Sequence, residues 1–199
     1  AEALNILLRS LEEEAYLHPL GRLITRKRLI GVLGNRLRAK YLFDRYPEIL
    51  QTELPQLIVI TGLQRTGTTL LHRLLSADPD TRSLLSWEAL NPAPFLEARS
   101  RDGMPEPDWD YCQSPEDRRR KMGRLAERSL SYMAPDFFAI HPVESEAPEE
   151  DVLLLDFAFL STVPEATLRV PTYSRWLEDQ DQSPAYYYME KLLKLLLWQ

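Results

Sequence analysis

Two glycines, Gly62 and Gly67, bracket the stretch of this chain best suited to chemistry: Gly62-Leu63-Gln64-Arg65-Thr66-Gly67-Thr68-Thr69. Their spacing is that of a phosphate-binding loop, G-x-x-x-x-G. A glycine loop between a buried strand and a helix is an anion site. Backbone N–H groups at the helix start converge on the ligand, and the helix dipole favours negative charge there. A nucleotide triphosphatase would place Lys and then Ser or Thr after the second glycine, for the β/γ-phosphates and for Mg²⁺. Here Thr68 and Thr69 follow, and the basic residue sits inside the loop as Arg65. Such a loop suits a shorter anion. Arg65 can set its charge against a bridging or leaving oxygen, Thr66, Thr68 and Thr69 offer hydroxyls, and the arrangement calls for no metal.

Elements must hold this loop in place. Leu57-Ile58-Val59-Ile60-Thr61 is a short, β-branched apolar run after Pro55 and predicts a strand buried on both faces. Thr69-Leu70-Leu71-His72-Arg73-Leu74-Leu75 predicts the amphipathic helix after the loop, ending before Asp78-Pro79. Upstream, Leu4, Leu7, Leu8, Leu11 and Ala15 recur at helical spacing, and His18-Pro19 stops that helix. A second helix is predicted over residues 20–46, with Leu23, Ile24, Leu29, Ile30, Leu33 and Leu37 as its apolar side. Gly31 and Gly34 weaken its middle. Residues 91–117, rich in Pro, Asp and Arg, predict a long irregular segment lying over a site rather than in a core. Further helices are expected over 115–132, from 148 to about 160, and over 183–198, the last with Ser183 as N-cap and Pro184 at the first helical position. One convincing strand cannot build a doubly wound sheet. The expectation is therefore an α/β domain seen in part, mostly helical as covered, with further strands beyond Gln199. A helical segment, 1–50, would precede the α/β part, 51–199.

Composition narrows the function classes. The chain has 199 residues, 44% of them apolar, enough for one sizeable core. A net charge of -6 argues against nucleic acid as the main partner. The basic run from Arg22 to Arg45 reads most simply as a solvated helix face. No apolar run approaches the ~18 residues of a membrane span, and no signal peptide is visible. Cys112 is the single cysteine, so neither an internal disulfide nor a paired-cysteine zinc site can form. Together these features suit the cytoplasm. The acceptor and the oligomeric state are not legible, and a homo-oligomer stays open.

Gly62-Leu63-Gln64-Arg65-Thr66-Gly67-Thr68-Thr69-Leu70-Leu71 resembles the 5′-phosphosulfate loop of sulfotransferases that use 3′-phosphoadenosine 5′-phosphosulfate (PAPS). The match is to the bacterial-type family, in which a Trp-Glu pair follows, here Trp87-Glu88, and Ala147-Pro148-Glu149-Glu150-Asp151 also looks like that family. The resemblance implies a P-loop-like three-layer parallel-sheet fold, incomplete in this chain. It implies transfer of a sulfuryl group from PAPS to a hydroxyl of a small molecule, lipid or sugar, without metal. Gln64, Arg65, Thr66, Gly67, Thr68 and Thr69 would bind the cofactor, and Arg65 would also serve catalysis. By likeness to protein-tyrosine sulfotransferases, Glu88 would be the general base. His141 is its rival, because cytosolic sulfotransferases use a histidine. Gln64 stands where the family usually has Pro, and no counterpart of the family's 3′-phosphate Arg and Ser is found. A P-loop kinase with a deviant loop, and a non-catalytic interaction domain, are the alternative readings. Phe137, Phe138, Tyr173, Trp176 and the Tyr186-Tyr187-Tyr188 run read as core packing before they read as an acceptor pocket.

Overall fold

The structure, a computed structural model, describes residues 2–63 and 66–199, with the side chain of Ile140 excepted. Helices dominate it. The first, α1 (Glu2–Glu13), buries Leu7. His18 and Pro19 then do two jobs. They end the connection, and they start α2 (Pro19–Arg45): His18 Nδ1 accepts from the Leu20 N–H at 3.3 Å, and Pro19 presets the backbone of the first turn. α2 runs 27 residues, unbroken by Gly31 and Gly34. Tyr46 closes it with its N–H on the Leu42 carbonyl, and a 3-10 turn, Pro47–Gln51, follows.

The buried face of α2 is not the one the leucine pattern indicates. Thr25, Leu29, Val32, Asn35, Ala39 and Leu42 face inward, while Leu23, Ile24, Ile30, Leu33 and Leu37 are exposed. Apolar residues surround this helix, so periodicity cannot choose a face. Polar anchors choose it. The Arg28 guanidinium pairs with Asp156 at 2.5 Å, Arg36 donates to the Phe157 carbonyl, and Arg38 Nε donates to the Ala93 carbonyl at 3.3 Å. The basic run is thus partly turned inward. Burial, with Arg119 and Arg118 nearby, depresses Arg38 to a pKa of about 10.

The remaining elements are α3 (Thr68–Leu75), α4 (Ser86–Leu90), β1 (Ala98–Arg99), β2 (Pro105–Glu106), α5 (Trp109–Cys112), α6 (Arg118–Met133), α7 (Pro135–Ile140), α8 (Val152–Asp156), α9 (Val163–Thr167), α10 (Pro171–Glu178) and α11 (Ser183–Trp198). One core joins the two ends of the chain. Leu7, Leu29, Val32, Ala39, Leu42 and Ile49 meet Leu154, Phe157, Tyr173, Leu177, Leu192 and Leu195. α1 lies on α10, and α11 lies on the 3-10 turn and on α8.

Three further expectations need correction. Among the described residues the only sheet is the antiparallel pair β1–β2, with Ala98 opposite Glu106. Residues 57–61 form no strand there. Leu57, Ile58 and Val59 are 55%, 67% and 72% exposed, because no neighbouring strand covers either side of them. Residues 91–117 are not all outside the core, where a segment over a site would lie. Pro92, Ala93, Pro94 and Pro107 are buried, and Asn35 fixes the segment by donating to Asn91 Oδ1 and accepting from the Ala93 N–H, each at 3.2 Å. The helix expected from 148 to 160 shortens to α8, whereas α11 starts at Ser183 with Gln182, not Ser183, in the cap position.

Candidate active site

The loop's second glycine heads α3. Gly67 is left-handed, φ 93°, and offers no side chain to cap the helix. The first-turn N–H groups of a helix have no partner within it, so a glycine cap leaves them open to a ligand. Gly62 lies close by: a Cβ there would stand 3.0 Å from Thr68 Cγ2 and 3.1 Å from Thr66 Oγ1. The loop therefore curls tightly, and Thr66 Oγ1 donates to the Leu63 carbonyl at 2.6 Å. Thr66, Gly67 and Thr69 are exposed and Thr68 is half-buried, as a site open to solvent requires. Gln64 and Arg65 lie outside the described residues.

Glu88 sits at the start of α4. Its carboxylate is held on both oxygens. Oε2 accepts from the Leu85 N–H at 3.0 Å, the reach-back of a capping box, and Oε1 accepts from Arg82 Nη2 at 2.9 Å. Arg82 Nη2 also donates to the Leu196 carbonyl at 3.3 Å, which ties this corner to α11. Glu88 itself is buried, only 7% exposed.

The Trp-Glu stretch and the Ala-Pro-Glu-Glu-Asp stretch meet. The Ser86 N–H donates to Ala147 O, Trp87 N–H to Ser145 O and Glu149 N–H to Leu84 O, at 3.0, 3.1 and 2.9 Å. α6 closes over them. Its Gly123 packs where a Cβ would lie 2.5 Å from Ser145 Oγ and 2.8 Å from Trp87 Cβ. The guanidinium groups of Arg119 and Arg120 lie 5.0 and 4.5 Å from the Trp87 ring.

A cleft of about 550 Å³ opens beside Glu88. Arg73, Ser76 and Ala77 enter it from the end of α3, Arg82 and Ser83 from the following turn, and Arg120 and Glu146 from the far wall. The helix that the glycine loop heads thus lines, with its last turn, the same cleft as the carboxylate. Among the described residues, Thr66, Gly67, Thr68 and Thr69 neither line this cleft nor bond to Glu88. Thr69 stands about one helical turn, roughly 6 Å along the axis, before Arg73, the first residue of α3 to line the cleft. His141 lies elsewhere, at the C-terminal cap of α7 with its ring 5.9 Å from that of Phe137, and does not line the cleft. Tyr173 belongs to the core, as expected, while Tyr186 and Tyr187 are exposed. Arg73, Arg82, Arg120 and Glu146 were not found by sequence reasoning. Their convergence depends on turns between elements, for which no spacing rule exists.

The glycine cap leaves open N–H groups at the start of α3, and the end of α3 lines a cleft with a buried carboxylate and three arginines. Likeness to known proteins gives the family. Residues 55–197 match the sulfotransferase family, and the chain belongs to it. Among solved structures, sulfotransferase STF1 from Mycobacterium tuberculosis H37Rv is 33% identical with a TM-score of 0.73, over 97% of this chain and 49% of its own. Sulfotransferase STF9 from Mycobacterium avium shares the fold, with a TM-score of 0.76 at 24% identity, over 99% of this chain and 48% of its own. The chain thus spans about half the length of each. No curated protein matches it. The architecture is that of a sulfotransferase fold, mostly helical with a small sheet over the described residues. Among the described residues no helix is long and apolar enough to cross a membrane, and no cluster of metal-ligating side chains is present.

Proposed function

We propose that the protein is a PAPS-dependent sulfotransferase of the cytoplasm that acts on a hydroxyl of a small molecule, lipid or sugar. Residues 51–199 carry the transfer chemistry behind a helical segment, 1–50. The loop, with Gln64, Arg65, Thr66, Gly67, Thr68 and Thr69, holds the 5′-phosphosulfate. The acceptor oxygen attacks sulfur, the bond from sulfur to the bridging phosphate oxygen breaks, and 3′,5′-ADP leaves. Arg65 stabilises charge on that leaving phosphate, and Glu88 takes the proton from the acceptor hydroxyl. No metal takes part.

The observation that supports this reading best is the left-handed, side-chain-free cap at Gly67, which leaves the first-turn N–H groups of α3 open to the phosphosulfate. Sulfuryl transfer resembles phosphoryl transfer in that positioning and charge stabilisation dominate. The open helix start serves both ends for the phosphosulfate.

The test is a steady-state assay with PAPS and a panel of hydroxyl acceptors. Glu88→Gln keeps size and hydrogen bonding but cannot take a proton. It should lower kcat by roughly 10²–10⁴-fold with little change in cofactor affinity. Arg65→Ala should lose about 10²–10³-fold. Turnover should persist in EDTA. An active Glu88→Gln beside a dead His141→Ala would move the base to His141.

A further inference from the structure

The cleft beside Glu88 is richer in cations than proton transfer needs. Arg73, Arg82 and Arg120 come from three places in the chain, against Glu88 and Glu146. The chain's own carboxylates occupy the guanidinium groups. Glu144 pairs with Arg73 at 3.3 Å, and Glu146 bridges Arg120 at 2.6 Å and Arg124 at 3.2 Å. These carboxylates are 48% and 41% exposed, and half-exposed pairs of this kind exchange at little cost. Two donors remain over: Arg73 Nε and Arg120 Nε are shut off from water, and among the described residues neither has an acceptor. Buried donors of this sort call for a partner. The balance is also local. Of the cleft's own lining, Arg73, Arg82 and Arg120 against Glu88 and Glu146 leave it one charge positive, in a chain of net charge -6.

From this we infer that the acceptor carries an anionic group, a carboxylate, phosphate or sulfate ester, beside its reacting hydroxyl. Arg73 and Arg120 receive that group, displacing Glu144 and Glu146. Arginine is suited to it, because its planar fork pairs with such anions through two parallel hydrogen bonds. Arg120 is already steadied by an aromatic face. Its guanidinium lies 4.5 Å from the Trp87 ring, which limits the freedom that binding would otherwise remove. The inference names the acceptor class for the site proposed above and rests on Glu88 facing that acceptor.

The experiment titrates the 199-residue chain with 4-hydroxyphenylacetate and, in parallel, with its uncharged methyl ester, following arginine Nε–H signals by NMR. The acid should shift the Arg73 and Arg120 signals and bind at least tenfold more tightly than the ester. Its advantage should shrink with added salt. The double substitution Arg73→Gln, Arg120→Gln should abolish the preference, with circular dichroism reporting whether the fold is kept. If that variant unfolds, the acid–ester comparison on the unaltered chain still decides. Equal binding of acid and ester overturns the inference, as do shifts confined to the Gly67 and Thr68 amides, which would mean occupation of the glycine loop. Glu88→Gln should keep the preference for the acid. If it also keeps turnover, the assignment of the base fails while the acceptor class stands.

Discussion

Single residues in this chain show how burial and pairing oppose each other. Asp156 is buried under α2, and burial pushes its carboxyl pKa up, against the pull of Arg28 at 2.5 Å. A folded-state pKa above the unfolded value gives stability at low pH that is lost as pH rises through the folded value. Asp156→Asn removes this titration while keeping shape. The wild type should therefore lose stability relative to the variant as pH rises above the ordinary aspartate range. Urea unfolding at several pH values measures it, and an opposite slope would show that the Arg28 pair, not burial, governs Asp156. Cys112 follows the same rule. Burial raises its thiol to about 11, so it stays protonated and inert near neutrality.

Among the elements, the start of α6 carries the most concentrated polar bonding. Arg119 is 1% exposed and pairs with Asp117 at 2.7 Å. Its remaining donors reach the carbonyls of Pro92 and Cys112 and the side chain of Gln199, at 3.2, 3.4 and 2.6 Å. One guanidinium thereby joins the proline segment, α5, α6 and the end of α11. Breaking a buried pair leaves its partner charged and unpaired, which costs about 3–5 kcal/mol. Arg119→Ala should lose that much in chemical denaturation and expose Trp87 to quenchers of its fluorescence. A loss under about 1 kcal/mol would mean that the proline segment holds itself in place by packing alone.

On the scale of the whole molecule, apolar surface is left uncovered at residues 57–59, on α3 at Leu70, Leu71 and Leu74, and along α2. Surfaces of this kind drive association. Val59 is 72% exposed, so Val59→Glu should change folding stability by no more than about 0.5 kcal/mol while reducing self-association in sedimentation velocity. A fall in stability of the size expected for a core residue would mean that residues 57–59 are packed rather than bare.

The sequence by itself determined the glycine loop, its helix and the family, since these depend on local spacing: two glycines, the hydroxyls after them, and Trp87-Glu88 downstream. It also determined α11 almost to the residue, because Pro184 and a long apolar pattern act within one helix. Tertiary structure alone decided which face of α2 is buried, because leucines surround that helix and Arg28, Arg36 and Arg38 choose partners far along the chain. It decided that Pro92, Ala93 and Pro94 enter the core, anchored by Asn35 and Arg119, and that residues 57–61 pair with no strand among those described. It also assembled Arg73, Arg82, Arg120 and Glu146 around Glu88. The physical reason is common to all of these. A pattern within one element records its own periodicity, whereas a contact between elements depends on turns and partners that local spacing does not encode.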